Sequence, residues 1–228
     1  MASRVLILDG SDCRDIYRPD NHWRRLLGNA ASDVVHLPAG DAVPRLEDYS
    51  HLIVTGSEAS VTSPAPWFGA AASAVREAVT RGCAVLGGCF GHQMLAWALS
   101  GPEYTARAEV PEIGWIPITV TASDPLLGDL PQPLHAFVIH FDEVREPPAP
   151  WTVLAHSPGC AVQAMRYGDH PVWGVQFHPE MTPEDAKLLM GGLCTQYPEL
   201  ASIVRPHLRN VPRDDEVAAV LIERFLAV

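Results

Sequence analysis

Residues 84–95, AVLGGCFGHQML, decide how this chain is read. The short apolar run Ala84, Val85 and Leu86 suits a buried strand, and Gly87, Gly88 and Gly91 tolerate backbone angles that other residues resist. Gln93, Met94, Leu95, Ala96, Trp97, Ala98 and Leu99 then continue as helix formers. The pattern predicts a sharp strand-to-helix turn with Cys89 at the helix N-terminus, where unpaired amide N–H groups and the helix dipole favour an anion such as a thiolate. Such a turn is a nucleophile elbow, and the N–H of the next residue, Phe90, is then available to an oxyanion. The competing reading is a structural cysteine, because free cysteine commonly packs as a small hydrophobe.

A second segment, VWGVQFHPEM at residues 172–181, bears on that choice. An alternating strand through Val172, Gly174, Val175 and Phe177 runs into His178, Pro179 and Glu180, and proline ends the ladder. An imidazole at a strand end with a carboxylate two residues on can keep one ring nitrogen protonated while the other faces a thiol. Joined to the cysteine elbow, this completes a nucleophile, a base and an orienter.

These two segments resemble the signatures of the class I glutamine amidotransferases, a G-x-C-x-G-x-Q elbow and a G-x-Q-F-H-P-E strand end. The first is matched by Gly87, Cys89, Gly91 and Gln93, and the second by Gly174, Gln176, Phe177, His178, Pro179 and Glu180. HLIVTGSEASV (51–61), EIGW (112–115), IHFDEV (139–144) and AMRYG (164–168) follow the family's order, so the resemblance covers roughly residues 5–190. It implies that Cys89 attacks the side-chain amide of glutamine to form a γ-glutamyl thioester. His178 would protonate the departing ammonia and then activate water, with Glu180 orienting the imidazole. Oxyanion donors would be the backbone of Phe90 and of Gly56 and Ser57, where this chain carries Thr55-Gly56-Ser57-Glu58 in place of the family's S-G-G-P. Ser57 stands where the family has its second glycine, and a serine serves there unless positive φ is required. Gln93 matches a family position facing the glutamine pocket, and backbone groups of Ile139, His140 and Phe141 match its other wall.

His140 with Asp142 also suggests a metal pair, but the clustered spacing of a zinc site is missing, so neither a metal nor a cofactor is expected. The 228 residues, 47% of them hydrophobic, suit one domain: a motif-bearing core at about 5–190 and a helical extension at 191–228. A net charge of −11 argues against nucleic acid bound through a basic patch. Apolar runs fall short of a membrane span, and the N-terminus enters a strand without a signal-like segment, so a cytoplasmic location is expected. The scattered cysteines, odd in number, fit a reducing compartment, with Cys13, Cys83, Cys160 and Cys194 structural.

Working outward from the elbow, strands are expected at 5–8, 33–37, 51–54 and 84–86, with helices at 22–30, 67–81 and from the elbow to Leu99. Shorter strands follow at 115–121, 135–139, 153–155 and 161–166, between proline-rich turns. Thr182 to Asp185 read as an N-cap with proline at the first position, opening a helix to Leu193. A last helix is expected at 214–226, with Asp214, Asp215 and Glu216 as its solvated start and Val217, Val220, Leu221 and Phe225 as its core face. This alternation, together with the resemblance, gives an α/β fold: a flavodoxin-like open, mostly parallel central sheet with helices on both faces and antiparallel additions.

Family members supply ammonia to a synthase, fused or separate, and no G-x-x-x-x-G-K phosphate loop for an ATP-dependent ligase is present here. A separate synthase or ligase as partner is therefore one expectation. The TGSEASV and EIGW segments lean toward the branch similar to the amidotransferase domain of GMP synthase, which also includes γ-glutamyl peptidases. Three functions follow: a glutaminase or amidotransferase, a γ-glutamyl peptidase using the same triad, or a non-catalytic regulatory protein. Intact Cys89, His178 and Glu180 speak against the last.

Overall fold

A computed structural model describes residues 3–213 and 217–228. Its strands are β1 (Arg4–Asp9), β2 (Ala31–His36), β3 (His51–Val54), β4 (Ala84–Gly88), β5 (Thr105–Val120), β6 (Leu134–Val144), β7 (Trp151–His156), β8 (Ala164–Tyr167) and β9 (Val172–Val175). The helices are α1 (Pro19–Leu27), α2 (Phe68–Arg81), α3 (Phe90–Leu99), α4 (Pro183–Gln196), the single turn α5 (Ala201–Val204) and α6 (Val217–Leu226).

Among the described residues the strands form one nine-stranded sheet in the order β2-β1-β3-β4-β9-β8-β7-β5-β6. The pairs from β2 through β9 are parallel, and those from β9 through β6 are antiparallel. The expected mixture of a parallel core and antiparallel additions is therefore present. Parallel strands are covered on both faces, and β1 shows how the sequence arranges this. Leu6 and Leu8 join Leu52, Val54, Val85, Phe68 and Val75 on the α2–α3 face, whereas Val5 and Ile7 join Ile53, Leu86, Trp23, Leu27 and Phe225 on the α1–α6 face. The period-two alternation of one apolar run thus serves two helical layers. A third cluster packs α4 and α5 on the β5–β6 ribbon through Ile113, Phe137, Ile139, Leu189, Leu193 and Val204.

The strands expected at 115–121 and 135–139 are parts of a longer ribbon. β5 begins at Thr105, and between Arg107 and Glu112 five residue steps on β5 oppose two on β6. Arg107, Glu109, Pro111 and Glu112 interrupt any apolar alternation in that bulge, so the pattern concealed the strand. α1 starts at Pro19 and stops before Gly28, earlier than the expected 22–30. On α6 the buried face is Val217, Leu221, Ile222 and Phe225, while Val220 is 37% exposed, so Ile222 takes the place expected for Val220. The expected acidic start at 214–216 lies outside the described residues. At α4 the expected cap is present as a reciprocal capping box, with Thr182 Oγ1 accepting from the Asp185 N–H and Asp185 accepting from the Thr182 N–H. No helix of the described residues is long and apolar enough to cross a membrane.

Candidate active site

Parallel pairing of β3, β4 and β9 brings three strand ends to the same edge of the sheet, the usual place for a site in such folds. Cys89, one residue beyond β4, has φ 49° and ψ −108°, a conformation that L-residues rarely adopt. Two glycines allow the turn to close. A Cβ on Gly91 would lie 2.0 Å from the Val54 carbonyl oxygen, and one on Gly87 would lie 2.6 Å from the Gly91 carbonyl. The G-x-C-x-G spacing is therefore a packing requirement, in which α3 meets β3 backbone to backbone. The Cys89 N–H donates to the Val175 carbonyl at 2.8 Å, tying the elbow to β9, and the Cys89 thiol lies 3.7 Å from the Ile139 carbonyl. Phe90 opens α3, so its N–H belongs to the first-turn donors that lack an intrahelical acceptor.

His178 and Glu180 follow β9, and the His178 N–H donates to the Phe137 carbonyl. His178 Nδ1 lies 2.7 Å from Glu180 Oε1, and Tyr17 donates its hydroxyl to the same oxygen at 2.9 Å. Because a carboxylate only accepts, the imidazole carries its proton on Nδ1, which leaves Nε2, buried and without a hydrogen-bond partner, for another group. Burial opposes charge on His178, but its interactions with Cys89 and Glu180 outweigh it and hold its pKa up to about 10. Burial likewise pushes Glu180 upward, and the His178 charge with the His178 and Tyr17 hydrogen bonds brings it below its ordinary value.

Cys89 and His178 open into a cavity of about 210 Å³ that Ser57, Phe90, Gln93, Ile139, His140 and Phe141 also line. Of the sequence-derived site residues, Gly56 and Glu180 lie just behind this wall: a Cβ on Gly56 would meet Tyr17 Oη at 2.6 Å, and Glu180 is buried. Ser57 is not among the residues with positive φ, so a serine meets no backbone penalty, and its hydroxyl turns to the Gly10 carbonyl. Gln93 donates to the Asp142 carbonyl at 2.8 Å and to Gln176 Oε1 at 3.1 Å, so only its own oxygen remains to accept from a ligand.

The cavity also draws on residues that sequence reasoning missed: Tyr17, Glu58, Arg107 and the apolar Leu189, Leu193, Tyr197 and Leu200. Burial raises the Glu58 carboxyl to about 7. Arg107 pairs with Asp142 at 3.2 Å and lies over the Phe141 ring. The fourth residue of T-G-S-E was a signal for Glu58, whereas Tyr17 and Arg107 reach the site from segments with no distinguishing pattern.

His140 takes no part with the Asp142 carboxylate. Its Nδ1 donates to the Asp142 carbonyl at 3.1 Å, and its Nε2 lies 3.3 Å from Glu112 Oε2. Donor atoms of Glu112, His140 and Cys160 come within 4.8 Å of one another, the spacing of a metal site. Each is already engaged: Glu112 accepts from Ser157, Gly159 N–H and Gln163, and the Cys160 thiol donates to the Val162 carbonyl. Burial pushes the Cys160 thiol up to about 12, which disfavours the thiolate a metal would need. The cluster is a buttress beneath the cavity wall.

Comparison with known proteins agrees with this geometry. The model of the class I glutamine amidotransferase family matches residues 24–192. The chain is 34% identical over 150 residues to a glutamine-hydrolysing GMP synthase subunit of Saccharolobus solfataricus, covering 66% of this chain and 77% of that protein. It is 38% identical over 136 residues to the corresponding protein of Sulfurisphaera tokodaii, covering 60% and 70%. A glutamine amidotransferase from Thermotoga maritima shares the fold with a TM-score of 0.79 at 23% identity, over 100% of this chain and 97% of that one. One from Methylobacillus flagellatus gives 0.77 at 22% identity, over 100% and 95%. With a family match across most of its length and the elbow and strand end meeting in one cavity, this chain belongs to the class I glutamine amidotransferases.

Proposed function

We propose that the chain hydrolyses the side-chain amide of glutamine to glutamate and ammonia through Cys89. The single observation that carries this reading is the His178 Nδ1 to Glu180 contact of 2.7 Å, which leaves Nε2 for the thiol in the cavity that both Cys89 and His178 line. His178 Nε2 takes the thiol proton as Cys89 Sγ attacks the amide carbon, and the developing oxyanion meets the Phe90 N–H and the backbone after β3 at Gly56 and Ser57. The tetrahedral adduct collapses by breaking the C–N bond, His178 gives a proton to the departing ammonia, and a γ-glutamyl thioester remains. His178 then takes a proton from water, whose oxygen attacks the thioester carbon; the C–S bond breaks, His178 returns that proton to Cys89 Sγ, and glutamate is free. Gln93 Oε1 accepts from the substrate's α-ammonium, opposite the wall of Ile139, His140 and Phe141.

The curated relatives are GMP synthase subunits, and on that basis we infer a partner synthase that consumes the ammonia. The same relatives support a cytoplasmic location. The order β2-β1-β3-β4-β9 supports a flavodoxin-like description of the parallel half, and residues 191–228 are read as an extension of a single domain.

A second reading, a γ-glutamyl peptidase, is favoured by one feature: Leu189, Leu193, Tyr197 and Leu200 give the cavity an apolar wall that ammonia does not need and an amino-acid leaving group could use. The test is glutamate release from glutamine and from γ-glutamyl-leucine, with Cys89→Ser as control. Turnover of glutamine supports the first function; turnover of the dipeptide alone refutes it in favour of the second. Undiminished turnover by Cys89→Ser refutes the thioester route.

A further inference from the structure

Tyr17 lies in the connection between β1 and α1, far in sequence from either signature, yet its hydroxyl is inside the catalytic arrangement. Tyr17 Oη is 2.9 Å from Glu180 Oε1 and 3.5 Å from His178 Nδ1, and its ring meets the imidazole edge-on with centroids 6.2 Å apart. We propose that Tyr17 is a positioning residue: its hydroxyl pins Glu180 Oε1 so that the carboxylate stays ionised and holds the His178 imidazole aimed at Cys89. The proposal rests on the thioester reading given above.

The hydrogen-bond directions follow from donor and acceptor inventories. An ionised Glu180 offers no proton, and His178 Nδ1 gives its own to Glu180 at 2.7 Å, the shorter of its two contacts. The phenol must therefore donate, and Oε1 receives hydrogen bonds from both Tyr17 and His178. Burial, followed by the neighbouring Glu180 and Cys89, raises the Tyr17 pKa well above its ordinary value, so the phenol keeps the proton that it donates.

The surroundings fix Tyr17 in place. Its backbone N–H donates to the Cys13 carbonyl, and its own carbonyl accepts from Ser11 Oγ at 2.8 Å. Gly56 supplies the space, since a Cβ there would stand 2.6 Å from Tyr17 Oη and 3.0 Å from His178 Cε1. The glycine at the end of β3 thus serves close approach, not an unusual φ. The charged and titratable groups around the pair are Cys89 from the elbow, Glu58 after β3, and Arg25 and His22 from α1, with Asp185 of α4 behind them. Arg25 meets Glu180 through the backbone carbonyl at 2.8 Å and does not replace the phenol at the carboxylate.

Removing a charge-assisted hydrogen bond from a buried carboxylate raises its proton affinity, so the acid limb of kcat, a macroscopic property of the His178–Glu180 pair, moves to higher pH by about one unit. The experiment compares wild type with Tyr17→Phe, using whichever of glutamine and γ-glutamyl-leucine the wild type hydrolyses. The expected result is a kcat lowered about tenfold at neutral pH, a KM within about twofold, and the acid limb shifted upward. A Tyr17→Phe variant with unchanged kcat and an unshifted acid limb overturns the proposal while leaving the Cys89 chemistry standing. Wild type that turns over neither compound and is not labelled at Cys89 by 6-diazo-5-oxo-L-norleucine overturns both. Should Tyr17→Phe fail to fold, 3-fluorotyrosine at position 17 keeps the ring and makes a stronger donor. The acid limb then moves to lower pH, and an unmoved limb refutes the role.

Discussion

Cys89 should reverse the usual ranking of alanine over glycine. Replacing it with glycine or with alanine removes the thiol equally, so both variants lose the same chemistry, but glycine also gives up a buried methyl worth about 0.8 kcal/mol, and their stability difference sets backbone strain against that loss. At φ 49° and ψ −108° any residue with a Cβ carries strain of about 1–3 kcal/mol. Glycine escapes that strain but costs about 0.5–1 kcal/mol more in chain entropy. Taking the middle of each range and subtracting the lost methyl, Cys89→Gly should exceed Cys89→Ala in stability by about 0.5 kcal/mol. In a chain of this length such a difference is worth about 1–2 °C in Tm. Urea denaturation at equilibrium, followed by tryptophan fluorescence, measures it directly, and a parallel m-value for the two variants confirms that they lose the same structure. If Cys89→Ala is the more stable of the two, the elbow is not strained, and the claim that function imposes this conformation on a cysteine falls.

Gly91→Ala should destabilise the protein by about 3 kcal/mol and lower kcat by roughly a hundredfold, because the new methyl would overlap the Val54 carbonyl and push α3 with its nucleophile out of place; a wild-type urea midpoint would refute the packing account. His178→Asn should cost far more in single-turnover rate than Glu180→Gln, since in the proposed mechanism one transfers protons and the other orients; equal losses would contradict those roles. Glu112→Gln tests the buttress by pH. Burial opposes the Glu112 charge, but hydrogen bonds from His140 and Ser157 hold its pKa below the ordinary value of 4.5. Its contribution to stability is therefore complete above that value and fades as pH falls through the lower folded value. The gap in urea midpoint between wild type and Glu112→Gln should shrink at acid pH, and a gap that widens there would refute it.

The elbow and the His-x-Glu strand end were legible because each is enforced by neighbours close in sequence. Gly87 and Gly91 flank Cys89, and one turn of backbone joins His178 to Glu180. The parallel strands were legible for a related reason: burial on both faces leaves no polar interruption in runs such as Val5 to Leu8. Tyr17 left no trace because its partner lies 161 residues away and nothing in its own loop demands an aromatic ring. The first half of β5 was hidden by its bulge, where Arg107 and Glu112 point to partners across the ribbon and break the apolar alternation. Val220 and Ile222 exchanged places on α6 because periodicity alone fixes the rotation of a short apolar helix only to within about one residue, and packing decides it.

The capping box at Thr182 has a consequence for how this scaffold can diversify. Asp185, which closes the cap, also binds Arg25, and Arg25 grips the carbonyl of Glu180, so the first turn of α4 is moored to the His178–Glu180 strand end. The far half of the same helix presents Leu189 and Leu193 to the cavity, where they also pack on the β5–β6 ribbon. One helix thus has an anchored root and an editable tip. On the proposed mechanism, apolar substitutions of similar volume at the tip would reshape the space for a leaving group while the anchored root keeps His178 and Glu180 in place, which would make α4 the element through which a single chemistry is retargeted.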